Sequence, residues 1–328
     1  MTAVTPEPIM KIAMGFMAAK HLFAASEVGL FEALATGSAT IEELAARTGL
    51  PSRTAGIVAA AMVSLGLIEQ EGAHYRNGEA AAAFLSGKSG ADLRPMLRFW
   101  DQITYPSWQK LADAVRTGSG QTHFGTFDKR QQEIFSAGVE AFSAPAAAAL
   151  AANYDFSRHR RVLDVGGGTG SFLVAILKRH TNLMGTLLEL PGACAVARQK
   201  LADAPERSRI EIVEGDVFKD TLPDGHDALI VANTAHVFSV PHNIDLMGKM
   251  RAGVRPGARL LLVDQWTDPT HSKPPAAALM SGTFLLTSGE GRAYSEQEAD
   301  TWLEQTGWKK IEKTPLTGPT SLIVAEAI

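Results

Sequence analysis

Cysteine is nearly absent from these 328 residues: Cys194 stands alone. A single thiol closes no internal disulfide and builds no cysteine-based zinc site, so nothing requires an oxidising compartment and the cytoplasm is the expected location. An excess of one charge is missing too. With 31 Lys+Arg against 35 Asp+Glu the formal net charge is −4, which leaves no cationic footprint for a phosphate backbone and argues against a nucleic-acid partner. No apolar run reaches the about 18 residues of a membrane-crossing helix, and the N-terminal residues lack a compact charged-then-apolar export signal; no membrane partner is expected. What is present is ordinary for a globular chain: 45% hydrophobic and 20% charged residues with 30 Gly and 16 Pro. That is enough for a sizeable core, at a length that suits two domains or one large one.

From Ile9 to about Leu85 apolar residues recur at helical spacing. Thr40-Ile41-Glu42-Glu43 reads as a capping box that starts a helix ending near Thr48-Gly49, and Pro51-Ser52 opens a second helix. Ile68 to Tyr75 alternates around Gly72 like a small hairpin. Helix, turn, helix, hairpin is a winged-helix module. Its second helix carries a single cation, Arg53, where a DNA-reading helix needs several side chains aimed at bases and phosphates. The apolar helices carrying Met14, Phe16, Met17, Leu22 and Phe23 are therefore expected to pack, a second copy of the chain being one candidate partner. Residues 92–156 read as further helices rich in aromatics, among them Trp100, Phe124 and Phe142. Most are expected in the core and some beside a flat substrate. The loops Thr117-Gly118-Ser119-Gly120 and His123-Phe124-Gly125 are candidates for the mobile edge of such a pocket.

At Arg161 strand and helix begin to alternate. Strands are predicted at Arg161–Val165, Gly185–Glu189, Ile210–Glu214, Ala228–Ala232 and Arg259–Asp264, with helices at Ser171–His180, Gly192–Ala204, Ile244–Val254 and Ser295–Gln305. This pattern predicts an α/β, doubly wound, mostly parallel sheet with its ligand at the carboxyl ends of the strands. Asp164-Val165-Gly166-Gly167-Gly168-Thr169-Gly170 follows the first strand, and Gly166, Gly168 and Gly170 permit a tight turn and close approach of the backbone to a ligand. A dinucleotide fingerprint would need glycine where Ser171 stands, and Gly87-Lys88-Ser89 lacks the first glycine of a phosphate loop because position 82 is Ala82. Glu189, ending the second strand, is placed to accept from both hydroxyls of a ribose. Asp216, after the third strand, is placed to accept from an adenine amino group.

On these motifs the chain resembles the S-adenosylmethionine-dependent small-molecule O-methyltransferases of the plant caffeate and bacterial antibiotic-tailoring type. The likeness covers nearly the whole sequence: the winged-helix region, Asn153-Tyr154-Asp155-Phe156 leading into the glycine loop, Glu189-Leu190-Pro191, Gly215-Asp216 and the Ser288-to-Gly307 tail. It implies a Rossmann-like methyltransferase domain preceded by a mainly α-helical winged-helix dimerisation domain. The expected divisions are 1–90 for dimerisation, 91–156 for a helical linker covering the substrate, and 157–328 for the cofactor. By this resemblance Gly166, Gly168 and Gly170 contact the methionine part of the cofactor, Glu189 the ribose, and Asp216 with Phe218 the adenine. Asp164, Leu190, Val217 and Asn233 complete the expected cofactor set. Members are homodimers with intertwined N-terminal helices, and S-adenosylhomocysteine is their product.

The family's catalytic histidine falls on His236, in Asn233-Thr234-Ala235-His236-Val237-Phe238. An imidazole near neutrality suits removal of a phenolic proton as the methyl group is attacked. Asp264, ending the fifth strand, matches the first carboxylate that orients it; the second falls near Ala293, with Glu290 the nearest substitute. The family pattern His-Asp-Trp is here His236-Val237-Phe238, which keeps open carbon methylation or other cofactor-assisted chemistry. A ligand-responsive regulator is the reading from outside enzymology. His236, His242 and His271 lack a helical metal-ligand spacing, so no metal is expected. Trp100, Phe142, Met280 and Phe284 are the expected apolar walls for a small aromatic acceptor.

Overall fold

The computed structural model describes residues 4–120 and 127–328, so the predicted loop His123-Phe124-Gly125 lies outside the described residues. The chain separates into two units, Met1–Pro106 with Lys129–Phe142, and Ser107–Asp128 with Ser143–Ile328. The region expected as a single linker, 91–156, is divided between them.

In the first unit the capping box is as predicted. Thr40 Oγ accepts from the Glu43 amide at 3.3 Å while Glu43 Oε2 accepts from the Thr40 amide at 2.8 Å, satisfying donors that the first helical turn leaves unpaired. The helix Ile41–Thr48 ends on Gly49 in the left-handed conformation, and the next helix is Ser52–Ser64. Strands β1 (Ile68–Glu71) and β2 (His74–Asn77) form the hairpin, and a bridge from Ala39 to Tyr75 extends it. Phe23, Phe31, Leu44, Met62 and Ile68 pack as the core of this unit. The first helix, Glu7–Glu27, leaves Ile9, Met10, Ile12, Met14, Phe16 and Met17 exposed.

The second unit holds a seven-stranded sheet. Strands β3 (Arg161–Val165), β4 (Met184–Glu189), β5 (Ile210–Glu214), β6 (Ala228–Ala232), β7 (Arg259–Asp264), β8 (Trp308–Thr317) and β9 (Thr320–Ala327) run in the order β5-β4-β3-β6-β7-β9-β8. The first five are parallel; β9 pairs antiparallel with β7 and with β8. The sheet is thus mixed, with a C-terminal hairpin that the sequence pattern did not reveal. Alternate residues feed two cores: Val162, Ile230 and Leu261 face one layer, and Leu163, Val231 and Leu262 face the other. Coverage of both faces explains why the central strands read as continuous apolar runs. The order turns at β3, with β4 and β5 to one side and β6 and β7 to the other, so the switch in strand order, where such sheets bind their ligands, falls at the carboxyl ends of β3 and β6.

Contrary to the expectation that no stretch is long and apolar enough, the helix Lys129–Asn153 meets the length and composition of a membrane-crossing helix, because its alanines raise the mean hydropathy without forming an unbroken run of large apolar residues. It carries Pro145, and its Ala146, Ala147, Leu150 and Ala151 are buried against the sheet of the second unit.

Candidate active site

The five parallel strands bring every residue of the predicted cofactor set in the second unit to one edge. Gly166, Gly168 and Gly170 all adopt positive φ, at 67°, 58° and 83°, a region open to glycine at little steric cost. A Cβ added at Gly168 would meet nothing within 4 Å, so its backbone faces open space. The Gly168 amide donates to Glu189 Oε2 at 3.1 Å and the Leu190 amide to Glu189 Oε1 at 2.8 Å. The Glu189 carboxylate is thereby fixed at the end of β4, with lone pairs on both oxygens still available. Asp216 accepts from the Phe218 amide through Oδ1 at 3.0 Å and from Lys219 Nζ through Oδ2 at 2.7 Å. The Lys219 hydrogen bond, followed by that of the Phe218 amide, holds its carboxyl below the usual range.

Lys249 carries no sequence signal, yet its ammonium donates to the carbonyl oxygens of Val217 and Phe218 and ties down that turn. The Phe218 ring meets Phe238 edge-on at 4.9 Å. Asn233 sits just past β6 at φ 53°, a conformation that asparagine tolerates better than most side chains. Its Nδ2 donates to Ser143 Oγ at 3.2 Å.

Asp164 behaves differently from the other acids. It is 0% exposed, and neither carboxylate oxygen has a hydrogen-bond partner. A Cβ at Gly167 would fall 2.4 Å from its Cγ, so the carboxyl group lies directly beneath the loop, and only glycine fits above it. Burial, and then the charge of Glu189, push its pKa up to about 7.

His236 occupies a 3-10 turn after β6. Its Nδ1 lies 2.7 Å from Asp264 Oδ1, and its backbone amide donates to Asp264 Oδ2 at 3.3 Å. A carboxylate at Nδ1 assigns the proton to that nitrogen and leaves Nε2 as the acceptor. The His236 side chain is 13% exposed and that of Asp264 4%. Phe284, on the helix Pro275–Thr287, stacks on the imidazole.

The position expected for a second orienting acid, Ala293, is buried, and its amide donates to Ser281 Oγ. Glu290 does not reach His236: its Oε1 accepts from His242 Nδ1 at 2.8 Å. Burial pushes the Glu290 carboxyl up, but hydrogen bonds from His242 and the Ser239 amide outweigh it and hold it below the usual range. His271 lies 3.6 Å from Glu298. The three histidines thus face three different carboxylates and do not converge, and no group of three or more metal-ligating side chains occurs among the described residues.

Two close approaches had no sequence signal beyond a glycine. A Cβ at Gly291 would fall 1.9 Å from the His236 carbonyl oxygen, so this segment lies directly on the turn that carries the histidine; a Cβ at Gly282 would fall 2.6 Å from the Trp108 ring. In the first unit Trp100 and Phe142 bring their rings to 6.4 Å. A separate groove of about 1150 Å³ lies at the opposite edge of the sheet, around Tyr154, His159, Asp227 and Arg259. It is remote from the glycine loop. Asp227 is already occupied there by the Arg160 and Arg161 amides, and His159 by the Tyr154 hydroxyl.

A glycine loop, a fixed carboxylate and a histidine–aspartate pair at the carboxyl edge of such a sheet define an S-adenosyl-L-methionine-dependent methyltransferase. Residues 108–309 match the O-methyltransferase domain and residues 10–87 the O-methyltransferase dimerisation domain, and the chain belongs to this family. The 3-hydroxy-5-methyl-1-naphthoate 3-O-methyltransferase of Streptomyces sahachiroi is 33% identical over 320 residues, covering 96% of this chain and 92% of that protein. The structure of PigF with SAH, a methyl transferase of Serratia sp., superposes with a TM-score of 0.85 at 28% identity over 98% of this chain and 100% of that one. Human N-acetylserotonin methyltransferase in complex with SAM has a TM-score of 0.88 at 24% identity, covering 99% of each chain, a likeness of fold.

The residues present suit this cofactor. The open face over Gly168 admits backbone approach, Glu189 offers oxygens to a diol, Phe218 offers a flat apolar surface, and the uncompensated carboxyl of Asp164 complements a cation above the loop.

Proposed function

We propose that the protein transfers the methyl group of S-adenosyl-L-methionine to a hydroxyl of a small aromatic specialised metabolite, with His236 as general base. The observation that carries the reading is the 2.7 Å contact of His236 Nδ1 with Asp264, beside a glycine loop suited to the cofactor. When bound, the cofactor supplies a methyl group on a positively charged sulfur. Everything else falls to this chain. Gly166, Gly168 and Gly170 hold the methionine part, with Asp164 beneath them; Glu189 and Leu190 hold the ribose; Asp216, Val217 and Phe218 hold the adenine; Asn233 closes the set.

Asp264 keeps the proton on Nδ1, so Nε2 accepts the proton of the acceptor hydroxyl as its oxygen takes the methyl group. Base assistance of this kind is worth roughly 10²–10⁴-fold. Met280 and Phe284 are acceptor contacts, and Trp100 and Phe142 keep the acceptor-binding role assigned from sequence. Residues 1–90 are the dimerisation region, with a second copy of the chain covering the apolar side chains of the helix Glu7–Glu27; 91–156 cover the acceptor, and 157–328 bind the cofactor. The reading places the enzyme in the cytoplasm.

The names of relatives support oxygen as the target, among them a mitomycin biosynthesis 6-O-methyltransferase, and that of a 3-hydroxy-5-methyl-1-naphthoate 3-O-methyltransferase supports an oxygen on a fused-ring aromatic. A direct test compares 3-hydroxy-1-naphthoate with its 3-methoxy counterpart as probe acceptors, measuring release of S-adenosylhomocysteine. Release with the hydroxylated probe, with the product identified by mass spectrometry and NMR as the 3-methoxy compound, supports oxygen methylation. A ring-methylated product that keeps its free hydroxyl would point to carbon methylation instead.

A further inference from the structure

The imidazole of His236 has a neighbour that a histidine–aspartate pair does not need. The Phe284 ring lies flat against it, centroids 3.8 Å apart and planes 13° from parallel. Phe284 is buried, and its helix is itself held: Ser281 accepts from the Ala293 amide at 3.1 Å, and Gly282 seats the Trp108 ring. The phenyl ring is therefore a fixed surface.

Asp264 fixes the imidazole at one atom. A single hydrogen bond at Nδ1 sets the direction of that nitrogen but tolerates rocking of the ring about the Cβ–Cγ bond, since that torsion is broad for histidine and a carboxylate oxygen accepts over a broad range of angles. A second carboxylate would remove the freedom, but its position holds Ala293, and Glu290 is bound by His242. A flat ring at van der Waals distance achieves the same end, because rocking about Cβ–Cγ drives an imidazole edge into the phenyl face.

We propose that Phe284 is a positioning residue that holds the plane of the His236 imidazole, in place of a second orienting carboxylate, so that Nε2 keeps one direction. The inference rests on the reading of His236 as base only for its catalytic consequence; the ring geometry stands without it. One imidazole face is taken by Phe284, so an acceptor hydroxyl meets Nε2 in the plane of the ring.

The test uses the full chain labelled with ¹⁵N-histidine, comparing wild type, Phe284→Leu and Phe284→Tyr, with His236→Gln to assign the His236 signals. In wild type and Phe284→Tyr a strongly downfield, slowly exchanging Nδ1–H is expected. In Phe284→Leu that proton broadens by exchange, the ring-current shift of the imidazole carbon-bound protons disappears, and backbone spectra are otherwise kept. In methyl transfer to 3-hydroxy-1-naphthoate, Phe284→Leu is expected to lose about tenfold or more in kcat at saturating acceptor, over and above any rise in KM from its lost acceptor contact, and Phe284→Tyr to restore kcat. A sharp, slowly exchanging Nδ1–H in Phe284→Leu would overturn the proposal, as would a loss confined to KM. Near-wild-type turnover by His236→Gln removes the base reading instead, while the spectra still decide whether Phe284 holds the ring.

Discussion

Asp164 is the side chain furthest from its ordinary state. Its pKa is raised to about 7 by burial and by Glu189, whereas in the unfolded chain it titrates near 4. The folded state therefore keeps a proton that the unfolded state gives up above about pH 4, and the stability contributed by this group is lost as pH rises from about 4 through about 7. Three units correspond to roughly 4 kcal/mol as an upper figure. In the cofactor-free protein, Asp164→Asn is expected to flatten the fall in Tm between pH 5 and pH 8, measured by calorimetry; an unchanged slope would show that Asp164 is not the source. Gly168→Ala is expected to weaken S-adenosyl-L-methionine binding by about tenfold or more in titration calorimetry, because it adds a methyl group to the open face and strains a left-handed residue. Affinity equal to wild type would place the cofactor elsewhere. The tight turn at the glycines and the place of Glu189 at the end of β4 were legible in the sequence because each position has a steric or hydrogen-bonding reason attached to a strand end. The isolation of Asp164 was not, since spacing does not reveal which carboxylate a loop will close over.

Elements differ in how openly they announce themselves. The four central parallel strands β3, β4, β6 and β7 are legible to within a residue because both their faces are buried and their runs are continuous, and the edge strand β5 is legible from its short apolar–polar pattern between two helical stretches. The strand β8 is hidden because it lies at the edge of the sheet. Lys309, Lys310, Glu312, Lys313 and Pro315 suit an exposed edge and blunt its pairing, but they erase the apolar pattern. The segment around Gly291 is illegible for another reason: its importance is a backbone contact with the turn carrying His236, and no periodicity records such a contact. Gly291→Ala is expected to push that turn out of place, lowering kcat at least roughly tenfold while the affinity for S-adenosyl-L-methionine stays within a few-fold. Full activity in this variant would mean that the turn relaxes without cost. Glu290, three residues before Ala293, is drawn to His242 instead, which shows that proximity along the chain is a poor guide once a loop folds back.

At the scale of the whole molecule, the helix Glu7–Glu27 carries six of the exposed large apolar side chains among the described residues: Ile9, Met10, Ile12, Met14, Phe16 and Met17. Ile9, Ile12 and Phe16 recur at helical spacing, and Ile12 is 82% exposed. Each such side chain buried in a dimer is worth about 1.5–3 kcal/mol, so the double substitution Ile12→Glu, Phe16→Glu is expected to convert a dimer into monomers by light scattering. A wild-type protein that is monomeric at micromolar concentration would contradict the dimer reading. The low net charge and the lone cysteine, which act first as exclusions, are compatible with many enzymes; the order of the strands and the edge they share narrow the choice. The central claim is methyl transfer to oxygen assisted by His236, and single-turnover methyl transfer from S-adenosyl-L-methionine by wild type and His236→Gln tests it most directly. A loss of roughly 100-fold or more in the transfer rate, with cofactor affinity kept within a few-fold, is the predicted result; a His236→Gln rate within a few-fold of wild type would contradict it.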